Sequence, residues 1–167
     1  YPMSEFRYHR PNAFPPIIKN LLIINVLVFV AQLMLQGSQL TERLMLYPVV
    51  PRSPELTQFI NEALGASYYG FKPFQLFTHM FAHSPSMIFH IIFNMLMLWM
   101  FGRILENLWG PKRFLFFYLA SGLGAAALHL AVQYFRAEQL AQALAAQDIK
   151  GITANAGALA PALGASG

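Results

Sequence analysis

Three stretches of the chain carry no formal charge for long enough to cross a lipid bilayer: residues 20–41, 73–102 and 114–135. A spanning helix needs about 20 apolar residues. Within lipid, only helices and closed barrels satisfy every backbone hydrogen bond. The number and length of the runs exclude a single-span protein and a porin-like barrel. Composition points the same way. Of 167 residues, 56% are hydrophobic, 14% aromatic and only 11% charged, whereas a soluble domain is charged at about a quarter of its positions. An ordinary soluble enzyme is therefore disfavoured. The 15 Phe and 8 Met bury too much apolar surface for a disordered chain. With no Cys, disulfide scaffolds, zinc fingers and iron–sulfur clusters are ruled out. The net charge of +4 comes from basic residues scattered at the edges of apolar runs. That pattern reads as membrane-edge anchoring and not as a nucleic-acid stripe.

The expected fold is all-α, a polytopic transmembrane helical bundle. Span one covers about 17–35; its length, Lys19 and the lack of a cleavage pattern distinguish it from a signal peptide. The second uncharged run is too long for one helix. Pro73, Pro85 and the cluster His83-Ser84-Pro85-Ser86 divide it, leaving a span over 86–104. Span three covers 114–134, and residues 136–150 read as an Ala/Gln/Leu-rich helical connector. A fourth span begins near 156 and is incomplete at 167. Tyr1 in place of Met, and an uncapped apolar end, read as a fragment of a longer protein. The expected division is thus an N-terminal segment over 1–16 and a partial membrane domain over 17–167.

The loop over 36–85 contains a helix with good boundary signals over 54–64. Ser53 is the N-cap, Pro54 suits the first helical position, Glu55 the first turn, and Gly65 the stop. Leu56, Phe59, Ile60, Ala63 and Leu64 share a face, which lies on the membrane surface or packs on the protein's own core. Arg7, Arg10 and Lys19 precede span one, and Arg103, Lys112 and Arg113 cluster after span two. By basic-residue density both groups face the cytoplasm, as in a bacterial inner or plasma membrane.

Polar side chains within apolar spans are costly and are functional candidates by default. His90 and Asn94 are spaced to share a helical face at the outer end of span two. Two hydrogen-bond donors there suit an oxyanion; gluing two helices together is the bland alternative. In Gly164-Ala165-Ser166-Gly167, small neighbours leave the hydroxyl accessible, although small residues also serve helix packing. Spans two and four run in the same direction, so Ser166 and the His90–Asn94 pair can share one depth. His79 and His83 are spaced for one helix face, and a hydrogen-bonded loop anchor suits them better than a metal site. No cofactor and no metal are expected. Glu106, after Gly102-Arg103, is expected to cap the bundle or pair with Arg103 or Arg113. Ser121-Gly122-Leu123-Gly124-Ala125 is expected to permit close helix packing.

Taken together, Pro73-Phe74-Gln75-Leu76-Phe77-Thr78-His79-Met80-Phe81, His90-x-x-x-Asn94-Met95, Phe101-Gly102-x-x-x-Glu106, Gly110-x-x-Arg113-Phe114 and Gly164-Ala165-Ser166-Gly167 resemble the rhomboid family of intramembrane serine proteases. The likeness runs from about residue 14 to the end. It implies a rhomboid-like bundle in which Ser166 is the nucleophile and His90 and Asn94, with backbone N–H groups near Ala165 and Ser166, hold the oxyanion. It further implies a half-embedded first loop, transmembrane protein substrates within the lipid bilayer, and no nucleic-acid partner. The family's general base is a His on a later span, absent from this chain, so residues 1–167 alone are expected to be inactive. The chain departs from many bacterial members at Phe74-Gln75, where they have Trp-Arg. The competing reading is an inactive relative that binds or escorts transmembrane clients.

Overall fold

The computed structural model describes residues 12–36, 39–65, 68–85 and 88–163. In chain order the helices are α1 (Pro16–Met34), α2 (Leu40–Leu44), α3 (Pro54–Ala63), α4 (Gln75–Thr78), α5 (Ile88–Trp109), α6 (Pro111–Ala145) and α7 (Ile149–Ala154). A 3-10 turn, Ala156–Leu159, follows. α1, α5 and α6 are long and apolar enough to cross a membrane. Leu27, Phe89, Phe93, Phe116, Leu128 and Phe135 lie exposed on them, as expected of helices whose solvent is lipid.

α1 starts at the Pro15-Pro16 pair, with Pro16 at a first-turn position where its missing N–H costs nothing. No side chain of its own segment caps it. The cap comes from α5: Glu106 is buried and accepts hydrogen bonds from Ile17 N (2.9 Å) and Ile18 N (2.8 Å). A carboxylate on these first-turn donors also opposes the positive end of the helix dipole. The expected partnership with Arg103 or Arg113 is therefore not found; the Arg103 guanidinium stacks 4.3 Å from the Trp99 ring. Just above, Ile18 and Leu21 of α1 and Phe114 of α6 form a buried cluster, against which Leu98 and Leu105 of α5 pack. Gly102 makes the approach possible, because a Cβ there would collide with Ile18 Cδ1.

Gly110, at φ +81°, turns the chain tightly between α5 and α6. α6 then continues for 35 residues, about 52 Å at 1.5 Å per residue, well beyond a hydrocarbon core of about 30 Å. The segment after residue 134, expected as a separate connector, is the continuation of the same helix. No Gly or Pro interrupts it between Gly124 and its end, so nothing in the backbone stops it. In the small-residue stretch of α6, Gly122 receives Met80 from the loop, not a neighbouring helix, and Gly124 faces open space.

The far end of α6 carries a second core. Leu56 of α3 packs with Ala137, Leu140, Ala158 and Leu159, and Phe59 and Ile60 border them. The Leu56, Phe59 and Ile60 part of the α3 face thus meets the protein's own core, while Ala63 and Leu64 are exposed. Ser53 caps α3 by accepting from Leu56 N (3.2 Å), and Gly65 follows at φ +50°.

Residues 156–163 correct the expected start of span four. They form the 3-10 turn and an extended stretch in place of an α-helix. Pro161 supplies no N–H and disfavours helix at Ala160. Gln133 of α6 donates to Gly157 O (3.3 Å) and Ala160 O (3.4 Å). Leu46 and Ala162 exchange two backbone hydrogen bonds, 3.0 and 2.9 Å, as an antiparallel bridge. The remainder of the expected span, residues 164–167, lies outside the described residues.

Candidate active site

His90 and Asn94 stand one turn apart near the start of α5, both half-buried. Their surroundings are built by the segment that precedes the helix. His83 is fully buried there, with its Nε2 2.7 Å from Asn94 Nδ2 and its Nδ1 3.1 Å from Phe81 O. The two contacts agree on one tautomer: Nδ1–H donates to the Phe81 carbonyl, and Nε2 accepts from the Asn94 carboxamide. The His83 and His90 ring centroids are 5.9 Å apart. Burial pushes the His83 pKa below its ordinary 6.5, opposed by the Phe81 carbonyl and reinforced by His90. The neutral ring that results is the form able to accept from Asn94. A carboxamide has two N–H donors, so this contact orients Asn94 and leaves its second donor for another acceptor.

His83 is in turn gripped by Gln32, near the end of α1. Gln32 is completely buried; its Oε1 accepts from His83 N (3.0 Å) and its Nε2 donates to His83 O (3.0 Å) and Thr41 Oγ1 (3.1 Å). The side-chain amide thus acts as a peptide group, pairing with both backbone groups of His83 as a strand neighbour would. Sequence reading passed over Gln32, although a Gln within an apolar span is the same signal that singled out His90.

His79 and His83 do not share a helix face, because α4 ends at Thr78. His79 is buried at the C-cap with its Nδ1 2.8 Å from Gln75 O. Burial depresses its pKa, and hydrogen bonds to the Gln75 and Leu76 backbone partly offset this. Gln75 is a second organiser that the sequence did not reveal. Its Oε1 accepts from Lys72 N (3.0 Å) and Tyr47 N (3.3 Å), and its Nε2 donates to Gly70 O (3.2 Å). A large loop is thereby ordered by one amide, at a position where the sequence departs from the expected pattern. Among the described residues, no cluster of three or more His, Asp or Glu could hold a metal ion.

Ser166, Gly164 and Gly167 lie outside the described residues. The approach to them is fixed, however. Ala162, bridged to Leu46, packs with Ala126 and near Leu130 of α6. Because α5 and α6 are joined by the Gly110 turn, depths along them can be compared by residue count. Asn94 lies about 15 residues, or about 22 Å, before the end of α5. Ala126 lies about 15 residues, the same rise, after the start of α6. By this count Ala126, which packs with Ala162, lies about as far along α6 from the Gly110 turn as Asn94 does along α5.

The matching of residue types, order and spacing is decisive at the family level: the model for the Rhomboid domain matches residues 70–167, more than half of the chain. This chain belongs to the rhomboid family. No curated protein and no solved structure matches it. The rhomboid match contains His79, His83, His90, Asn94, Gly102, Glu106 and Ser166. Two elements that shape the site come from before it: Gln32 on α1 and Leu46 in the first loop. With its three long apolar helices, this rhomboid-family chain is an integral membrane protein.

Proposed function

We propose that the parent protein is an intramembrane serine endopeptidase that cleaves transmembrane substrates near the outer membrane face. What carries this reading is the hydrogen-bonded group of His83, Asn94 and neighbouring His90, together with the extended segment that leads to Gly164-Ala165-Ser166-Gly167, bridged to Leu46 and packed on Ala126 of α6. In this reading the Ser166 hydroxyl attacks the scissile carbonyl, giving an acyl-enzyme that water resolves. The oxyanion that forms is held by the second N–H of Asn94, by His90, and by backbone N–H groups around Ala165 and Ser166. His83 acts through Asn94 and touches no reacting atom. A serine hydroxyl needs a base; the proposal places it on a span C-terminal to residue 167, so that residues 1–167 alone do not hydrolyse. Residues 1–16 are assigned to the cytoplasmic side, on the strength of Lys19, Arg103, Lys112 and Arg113 at the same end of the bundle.

A fluorophosphonate probe added to the purified full-length parent is expected to label Ser166, and Ser166→Ala is expected to abolish the label. Labelling that persists in Ser166→Ala refutes the nucleophile. Complete lack of labelling in the parent favours the alternative, a rhomboid-like protein that binds or escorts transmembrane clients.

A further inference from the structure

The end of the bundle opposite the candidate active site contains a cleft of about 460 Å³, lined by Asn12, Ala13, Arg103, Ile104, Asn107 and Leu108. Its volume falls in the range of small-molecule sites, about 300–1,000 Å³. Its construction is specific. Asn107 donates to Asn12 O (2.9 Å) and Arg103 O (2.7 Å) and accepts from Asn12 N (3.1 Å), tying the segment before α1 to α5. Trp99 Nε1 donates to Ala13 O (3.1 Å), and its ring supports the Arg103 guanidinium at 4.3 Å. The cation thus lies over a ring that is itself hydrogen-bonded.

Among the described residues, the charge of this cleft has no carboxylate partner. Lys19, Arg103, Lys112 and Arg113 belong to this end, and none forms an ion pair with a carboxylate among the described residues. The acidic side chain here, Glu106, has both oxygens engaged by Ile17 N and Ile18 N. A guanidinium presents N–H donors in a fork that matches phosphate oxygens. The other side of the cleft, Ile104 and Leu108, is apolar and exposed, beside helices whose surface is built for lipid. One phosphate group attached to hydrocarbon answers both halves.

We propose that this cleft binds the phosphate of an anionic phospholipid from the leaflet at the N-terminal end of the bundle, with Arg103 as the phosphate ligand and Ile104 and Leu108 against the start of the acyl chains. Basic pockets between spanning helices are suited to such headgroups. The site is independent of the proteolytic reading, and its test needs no catalytic activity.

The test measures lipid retention by native mass spectrometry, and thermal unfolding, on the purified chain in neutral detergent titrated with phosphatidylglycerol or phosphatidylcholine. Phosphatidylglycerol is expected to be retained to about one molecule per chain and to raise the unfolding temperature saturably; phosphatidylcholine is not. Arg103→Gln is expected to weaken phosphatidylglycerol binding about tenfold, the loss of one charge-assisted contact. The double variant Lys112→Gln/Arg113→Gln is expected to weaken it no more than about threefold, as screened, more distant charges should. Wild-type affinity in Arg103→Gln, or equal binding of the two lipids, overturns the proposal. An equal temperature rise with inorganic phosphate overturns the lipid as the source. Should Arg103→Gln fail to fold, Arg103→Lys keeps the charge but loses the fork; several-fold weaker retention is expected, and unchanged retention overturns the assignment.

Discussion

The two ends of the bundle solve the same problem with different chemistry. At the N-terminal end a single charged group, Glu106, closes the first turn of α1 by taking two backbone N–H groups. At the other end no charged group is used. The uncharged amides of Gln32, Gln75 and Asn94 and a neutral His83 satisfy an irregular loop backbone and one another. The first arrangement follows from a demand that every helix start makes, and a carboxylate answers it with help from the dipole. The second follows from a particular loop path, where donors and acceptors are needed together. Amides offer both on one side chain. A charged floor thus contrasts with an end whose polar contacts are neutral amides and a neutral imidazole.

The contrast can be broken at either end. The largest effect is expected at the donor-rich end: in the full-length parent, Asn94→Ala should reduce turnover of a transmembrane substrate by roughly 10²–10³-fold, as for loss of one oxyanion donor. Steady-state cleavage alongside thermal unfolding checks this, and a rate within threefold of wild type would remove Asn94 from the chemistry. At the charged end, Glu106→Ala strands two first-turn donors and should lower unfolding free energy by about 3 kcal/mol, measured by denaturant titration in micelles. Glu106→Gln should cost less, because its carbonyl still accepts. Gln32→Leu removes the clamp on the His83 backbone and should cost about 1–3 kcal/mol. It should also shift the His83 ring ¹⁵N resonances as the Asn94 contact loosens.

Acid should distinguish the ends as well. Burial depresses the pKa of His79 and His83 below 6.5 in the fold, so the unfolded chain takes up these protons first. Stability contributed by the two neutral rings is therefore complete above about pH 6.5 and is lost as pH falls through their folded values. Unfolding titrations between pH 7.5 and 5 should show the decline, and His83→Gln should flatten it. The smallest effect is expected at α3: Ser53→Ala removes its cap and should cost about 1 kcal/mol, with no change in any reaction at the bundle.

How much of this was legible beforehand depended on the range of the interaction involved. α3 runs from Pro54 to Ala63 because Ser53, Pro54, Glu55 and Gly65 act within a turn of the helix ends, and such signals survive without a partner. The three apolar helices are equally local, since one solvent selects them residue by residue. Of the two roles expected of Glu106, capping is found and pairing with an arginine is not; the N–H groups it caps lie 88 and 89 residues away in sequence, so the sequence does not name them. The end of α6 was misjudged because the membrane limits where a helix is apolar and not where it must stop.

The sequence by itself determined the number and apolar character of the long helices, the turn of α5 that bears His90 and Asn94, and the family likeness, because each rests on periodicity, spacing or residue type. Only the tertiary structure decided that His83 completes that pair, that Gln32 holds His83, and that Ala162 is bridged to Leu46. Those pairings join residues 11, 51 and 116 positions apart, and a hydrogen bond selects its partner by distance and direction in space, which residue identity alone does not encode.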